Sequence, residues 1–391
     1  MNAKVIDVLK KNAMLIVLVL VYIFFTVMTH GSMFQAMNFN ALITQNAYVF
    51  ILATGMLMCM LTGGNIDLSC GSFVCIMGAV GGVLMVTKGL NAGVSIGLMI
   101  LVGIIYGCVL GWLIAYVDIP PWIATLAGYL AFRGWGTAIL SANSTTGSIS
   151  LSNSETFLKI FSGKVLATPI GTMNMVCIGA GVVASVIVVL SGFISRATKV
   201  KKGYEAESML ALIVRSVLSV AAIMLFAYKL AMAGGIPTAL VWVVVIVLIY
   251  SFITSKTTWG RYFYTIGGNK EATRLSGVDT RLIMFLAYLN MAVLTVITTF
   301  IVSARFQAAN STAGTYYEMD AIAACVVGGV SAYGGSGKIF GMVIGATLIG
   351  VINLGMSLMG VDADWQKIVK GGVLLAAVVF DILAAKKNST K

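Results

Sequence analysis

The stretch GVSIGLMILVGIIYGCVLGWLIAYV, residues 93–117, runs without a charged residue or a proline. It exceeds the roughly 20 apolar residues that a helix needs to cross a hydrocarbon core. Its glycines fall four apart: Gly93 and Gly97, then Gly103, Gly107 and Gly111. Spacing of four puts each set on one helix face, where a second backbone can approach closely in lipid. For Gly103, Gly107 and Gly111 this predicts a tight crossing, within a bundle or at a seam between two copies.

The same character extends along the chain. Of its 391 residues, 59% are hydrophobic and 10% charged, where soluble domains carry about 25% charged. A water-soluble core cannot hide that much apolar surface, so the bilayer is the solvent. Further apolar runs begin near Ala13, Gln45, Ser69, Trp122, Pro169, Ser216, Ile236, Leu282, Met319, Gly341 and Trp365. They predict an all-α polytopic bundle of about ten to twelve spans, a single transmembrane domain over residues 1–391. The run around Asp320–Ser331 is short and reads as a half-helix, a re-entrant segment or a span. The run at Ser69 has room for an irregular start. Residues 13–28 resemble the apolar part of a signal peptide, but no small-residue cleavage site follows, so they read as a first retained span.

The formal charge of +12 is spread in short clusters between apolar runs. No basic domain with interleaved aromatics exists, which argues against nucleic acid and for anionic lipid. Placing the N-terminus in the cytoplasm collects Lys4, Lys10 and Lys11, then Arg196–Arg215, Lys256–Arg281, and Lys386, Lys387 and Lys391 on the same side. The positive-inside rule then predicts both termini inside. Residues 142–165, rich in Ser, Thr and Asn, become an external loop, a landing surface for a soluble partner or a plain solvated connector. Residues 196–215 and 256–281 become cytoplasmic loops.

Several chemistries are excluded. His30 is the only histidine, and the six cysteines form no C-x-x-C pair. No metal site, Ser-His triad or other catalytic set can be proposed. The stretch Gly334-Gly335-Ser336-Gly337-Lys338 imitates a P-loop. A P-loop needs a first glycine where Ala332 stands and a Ser or Thr where Ile339 stands. This chain therefore hydrolyses no nucleotide and is not expected to be an enzyme.

The second cytoplasmic loop has structure of its own. In YTIGGNKEATRLSG, residues 264–277, Gly267 and Gly268 suggest a turn. Asn269 suits a helix N-cap, and Glu271 suits the first turn of that helix. Glu271 and Arg274 are three apart and can pair. Ala272 and Leu275 share a small apolar face. Ser276 and then Gly277 close the helix, the glycine with a left-handed backbone. A short helix of this kind docks on a soluble partner or lies on the lipid surface.

Here the sequence resembles a known family. The loop Tyr264–Gly277 is similar to the ATPase-docking loop of permease subunits in ribose/galactose/xylose-class bacterial ABC importers. Gly63–Ser72 (GGNIDLSCGS) resembles the class signature G-x-I-D-L-S-x-G-S. Residues 125–134 (TLAGYLAFRG) resemble its T-L-x-x-x-x-x-x-R-G segment. Residues 320–329 (DAIAACVVGG) with Gly334–Gly337 resemble its D-A-I-A-A region. The motifs keep the family order, and the resemblance covers about residues 45–385. Extra sequence at 171–235 and the closing Trp365–Gly371 (WQKIVKG) resemble the xylose and multiple-sugar members.

The resemblance implies a permease subunit in the bacterial inner membrane that imports a monosaccharide, xylose or another pentose or hexose. It implies a second permease subunit, expected as a homodimer, and a cytoplasmic ATPase that holds the ATP and magnesium. It also implies a periplasmic or tethered sugar-binding protein. This chain itself would bind no cofactor. Tyr264, Gly267, Gly268, Asn269, Glu271, Ala272, Arg274, Leu275, Ser276 and Gly277 would form the ATPase-coupling loop.

Asp67, Asn65, Arg133 and Asn290 are candidates for a translocation path, since polar groups in spans are costly and usually functional. Asp67 can equally cap the helix that opens at Ser69. Arg133 can snorkel, pair with an acid or face the path. Asp320 reads as the cap of its own short helix. Asn290, Asn353 and Tyr288 can meet sugar or join helices. The alternatives are a permease for a nucleoside or branched-chain amino acid, and a secondary sugar transporter needing no ATPase.

Overall fold

The computed structural model describes residues 13–204 and 208–389. Lys4, Lys10, Lys11 and Lys391, used above for orientation, lie outside them. In chain order the elements begin with α1 (Ala13–Met28), α2 (Ala36–Leu61) and α3 (Cys70–Gly82), which winds on as a π-helical turn to Thr87. Next come α4 (Ala92–Ala115), α5 (Pro121–Asn143), β1 (Ser148–Ser150), α6 (Glu155–Ser162) and β2 (Lys164–Val165). They are followed by α7 (Met175–Lys201), α8 (Met209–Met232), β3 (Ile236–Pro237), α9 (Thr238–Lys256), α10 (Thr258–Gly268) and α11 (Lys270–Leu275). The last are α12 (Thr280–Phe306), β4 (Ala308–Asn310), α13 (Tyr317–Val327), α14 (Ile339–Leu358) and α15 (Ala363–Ser389).

Among the described residues, eight helices are long and apolar enough to cross a membrane. This is an all-α polytopic membrane protein. α1 is apolar but shorter, with 16 residues. The short run at Asp320–Ser331 is α13, whose 11 residues span only about 16 Å. That is roughly half a hydrocarbon core.

Packing divides the described chain into two compact units. The larger takes the chain up to Met33, then Leu42–Ser162, then Ala239 onward. At its centre lie α2, α3, α12 and α14, each mostly buried. α4 lies along α12 on its glycine face. A side chain at Gly103 would overlap Val296. At Gly107 a Cβ would stand 2.9 Å from Leu289 Cα, and at Gly111 2.8 Å from the Phe285 carbonyl. Bare backbone therefore sets how closely α4 and α12 approach. Gly97, on the same helix, meets nothing within 4 Å. The loop at 142–162 is ordered: β1 pairs antiparallel with β4, Ile149 opposite Ala309. α6 buries Phe157 and Phe161 against Phe300.

The smaller unit comprises Phe34–Ala41 and Gly163–Thr238. It is a hairpin of α7 and α8, and it contains the extra interval 171–235. Asn174 caps α7 by accepting from the Val176 N–H, and Ser208 caps α8 by accepting from that of Ala211. Gly181 lies against Ala227 where the two helices meet. Since α7 runs to Lys201 and α8 starts at Met209, much of the 196–215 segment is helical. At the other end of the hairpin, β2 pairs with β3.

Two details differ from the sequence reading. Gly267 and Gly268 form no turn; they are the last residues of α10, and the chain breaks one residue later at Asn269. A helix tolerates glycines where the neighbouring backbone is tight, and a Cβ at Gly267 would overlap the Leu61 carbonyl and Gly335 N. Asp320 does not cap α13. The cap position belongs to Tyr316, at φ 63°, with no side-chain hydrogen bond. Asp320 lies inside the first turn and pairs elsewhere.

Candidate functional site

The segment between α9 and α12 holds the first candidate surface. Thr257 opens α10 by accepting from the Gly260 N–H. Tyr264 donates its hydroxyl to the Gly337 carbonyl at 2.9 Å, which ties α10 to the Gly-rich turn before α14. Asn269 caps α11, its side chain accepting from Ala272 N at 2.9 Å. At the far end the Gly277 N–H donates to the Arg274 carbonyl and the Val278 N–H to that of Thr273. Gly277 has φ 89°, a left-handed conformation that costs glycine little. The outer face of α11 carries the Glu271–Arg274 ion pair at 3.0 Å. Ala272 and Ser276 are exposed beside it, and Leu275 is 79% exposed. Thr273 faces inward. α11 is thus fixed at both ends and presents one large apolar side chain with a charged pair beside it.

The second candidate region is the interior of the larger unit, where two non-helical segments lie near the start of α3. The first, residues 62–69, joins α2 to α3 and carries Asn65 and Asp67. Asn65 donates to the Thr62 carbonyl at 3.1 Å and shapes the turn at Gly63 and Gly64. Asp67 is buried. Its carboxylate accepts from Ser69 N at 2.8 Å and from Ser69 Oγ at 2.6 Å. Ser69 holds the cap position of α3, so Asp67 braces the cap residue and does not itself cap the helix. Ser69 Oγ also bonds the Tyr106 hydroxyl on α4 at 2.6 Å. The second segment, residues 311–316, follows β4 and leads into α13. A Cβ at Gly71 would overlap the Gly314 carbonyl and Glu318, and Gly314 itself has φ 74°. The second segment therefore lies backbone to backbone against the first turn of α3, just beyond the end of the first segment. Irregular backbone at membrane depth occurs only where protein buries it or a cavity runs alongside, and transporters place such breaks near their paths.

Arg133 on α5 holds the second segment. Its Nη1 donates to the carbonyls of Ser311 at 3.0 Å and Ala313 at 2.8 Å. Its Nη2 and the Oε2 of Glu318 are both buried without a hydrogen-bond partner. Glu318, 1% exposed, was not singled out in the sequence. An acid in the first turn of a helix reads as a dipole partner, and nothing local shows that it is buried.

The remaining polar residues join helices. Asn290 accepts from the Tyr250 hydroxyl between α12 and α9. Asn353 on α14 donates to Asn46 on α2 at 3.2 Å. Tyr288 is fully buried. Lys370 on α15 pairs with Asp320 on α13 at 3.0 Å, and Tyr48 on α2 donates to the same carboxylate. The Tyr48 ring stacks on Tyr317, centroids 3.7 Å apart. Two stretches read separately in the sequence, 320–329 and 365–371, thus meet through one ion pair. Among the described residues, no three metal-ligating side chains cluster.

Comparisons with known proteins agree with this architecture. The model of the branched-chain amino acid transport system / permease component family matches residues 38–378. The chain is 36% identical to the xylose transport system permease protein XylH of Haemophilus influenzae, over 96% of each chain. It is 32% identical to XylH of Escherichia coli, over 96% of this chain and 92% of that one. It is 31% identical to the ribose import permease protein RbsC of Escherichia coli, over 95% and 94%. No solved structure matches it. The chain belongs to the permease-component family of branched-chain amino acid transport systems and, within it, to the class of the ribose and xylose permeases.

Proposed function

We propose that this chain is the membrane subunit of an ATP-driven importer of xylose or a closely similar monosaccharide, set in the bacterial inner membrane. The observation that carries the reading is likeness to xylose permeases along nearly the whole chain. As a non-catalytic subunit it leaves ATP and magnesium to a cytoplasmic ATPase. A sugar-binding protein delivers the substrate from outside.

In this reading both termini lie inside, and α11 is the coupling helix. Its capped ends, exposed Leu275 and Glu271–Arg274 pair suit a groove on the ATPase. Closure of the ATPase pair on ATP pushes α11, and a homodimer of permeases changes access. The ordered β1–β4 surface faces the binding protein. Asp67, Asn65, Arg133 and Asn290 stay candidates for the path. Of these, Arg133 and Asp67 have the stronger support, since they shape the two non-helical segments.

The test is uptake of labelled D-xylose and D-ribose by cells expressing this chain with its ATPase and binding protein. ATP-dependent, vanadate-sensitive uptake and co-purification of the ATPase are expected. Uptake driven by an ion gradient alone would overturn the reading. A second reading, transport of a branched-chain amino acid, is favoured only by the description of the matching family. Labelled leucine in the same assay tests it.

A further inference from the structure

A cavity of about 450 Å³ opens where the start of α13 meets α15. That lies within the roughly 300–1,000 Å³ of small-molecule sites. Its walls include Thr315, Tyr316, Asp320, Gln366, Lys367 and Lys370. We propose that this cavity is a transit subsite for one neutral monosaccharide inside the permease. The proposal deepens the sugar-importer reading and rests on it.

The polar groups on one part of a mostly apolar wall suit a neutral polyol. Both cations are already matched: Lys370 pairs with Asp320 at 3.0 Å and Lys367 with Asp364 at 2.7 Å. No unbalanced positive charge remains to attract a phosphate or an anionic lipid headgroup. What the walls still offer is hydrogen bonding. Gln366 spends one of its two amide N–H groups on the Val361 carbonyl at 2.8 Å, and Thr315 spends its hydroxyl proton on the Thr312 carbonyl at 2.7 Å. The amide oxygen of Gln366 and the lone pairs of Thr315 are left to accept. An ammonium has three donors, so Lys370 has capacity beyond Asp320. Sugar hydroxyls both donate and accept, and they satisfy such a mixed set.

Tyr316 supplies an aromatic face, and Met319, Ala323, Ala363 and Leu374 make the rest of the wall aliphatic. Tyr316 is 44% exposed and sits at φ 63°, a strained backbone for a bulky side chain. The Lys367 ammonium lies 5.5 Å from its ring centre. An aromatic face beside hydrogen-bonding groups suits the C–H face of a pyranose. The position suits transit as well. The cavity opens at the end of the 311–316 segment that Arg133 holds, beside the polar interior of the larger unit.

The experiment uses the whole importer, with its ATPase and binding protein, reconstituted in vesicles. Thr315→Cys is made in a Cys108→Ser background, since the other native cysteines are buried. Labelling of Thr315→Cys by a membrane-impermeant methanethiosulfonate is followed during ATP turnover. D-xylose is expected to slow it about tenfold, and inorganic phosphate to leave it unchanged. In parallel, Tyr316→Ala should lower xylose uptake about tenfold, while Tyr316→Phe keeps it. Gln366→Leu should lower it as well, with the sugar affinity of the binding protein unaltered. Protection by phosphate and not by sugar overturns the proposal, as does unchanged uptake in Tyr316→Ala. If the unsubstituted importer moves no sugar at all, the sugar-importer reading falls, and the subsite with it. If it does move sugar and Thr315→Cys is not protected, the subsite alone falls.

Discussion

Lys370 of α15 closes a 3.0 Å ion pair on Asp320 in the first turn of α13. Tyr48 of α2 donates to the same carboxylate, so three helices converge on one acid. The Asp320 side chain is 4% exposed and that of Lys370 26%. Losing the lysine strands a buried carboxylate, at a cost of up to about 3–5 kcal/mol, whereas losing the acid leaves an ammonium that reaches water. Lys370→Met should therefore lower the thermal midpoint of the purified chain more than Asp320→Ala does. Asp320→Asn with Lys370→Gln, which strands no charge, should recover most of the loss. Melting curves of the three variants in one detergent check this.

The α4–α12 crossing predicts a contrast between two glycines of one helix. Gly107 faces Leu289 and Ala292 at about contact distance, and Gly97 faces open space. Gly107→Leu should push α4 off α12, with an overpacking cost of about 1–3 kcal/mol. Gly97→Leu should be neutral or slightly stabilising, since leucine favours helix over glycine. Yield of monodisperse protein and thermal midpoint distinguish the two.

On α11, function and stability should separate. Glu271 and Arg274 are 69% and 63% exposed, and exposed pairs contribute about 0–1 kcal/mol. Glu271→Ala and Leu275→Asp should therefore leave the thermal midpoint nearly unchanged. Sugar uptake should fall severalfold, with ATP hydrolysis no longer tied to transport. Normal uptake in both variants would remove α11 from the coupling role.

Asn269 tests whether α11 must be preformed. Its side chain holds the Ala272 N–H, and loss of such a cap costs about 0.5–2 kcal/mol. Asn269→Ala should lower uptake, and Asn269→Asp or Asn269→Ser should restore it, because both can cap. A contact role for the amide itself would show as failure of both rescues.

Arg133 predicts a defect of position. It donates two charge-assisted bonds to the carbonyls of Ser311 and Ala313, roughly 1.5–3 kcal/mol each. Arg133→Gln should loosen the 311–316 segment, and Arg133→Lys should do so less. Hydrogen exchange across residues 308–318, measured by mass spectrometry, should rise in that order.

Eight of the twelve apolar runs are helices long and apolar enough to cross among the described residues, legible because lipid demands long apolar runs. Those near Ala13, Trp122, Met319 and Trp365 are not among the eight. The Asn269 cap and the left-handed Gly277 were legible because both are set by neighbours a few residues away. The partners of Arg133 were not, since they are backbone carbonyls about 180 positions along the chain. Asp320 reads as a cap for the same reason: a local rule cannot see that its partner, Lys370, lies in another helix. Glycine's weak helix propensity puts the break at Gly267-Gly268, but the tight contact at Leu61 and Gly335 keeps both glycines helical and moves it to Asn269.

α12 starts five residues after α11 ends and stops two residues before β4. Its 27 residues make a rod of about 40 Å, and the glycine crossing makes α4 a splint along it. If α11 is the coupling helix proposed above, a push entering at Thr280 would leave at Phe306, beside the strand pair that precedes the 311–316 segment, along a doubled rod that bends less than a single helix.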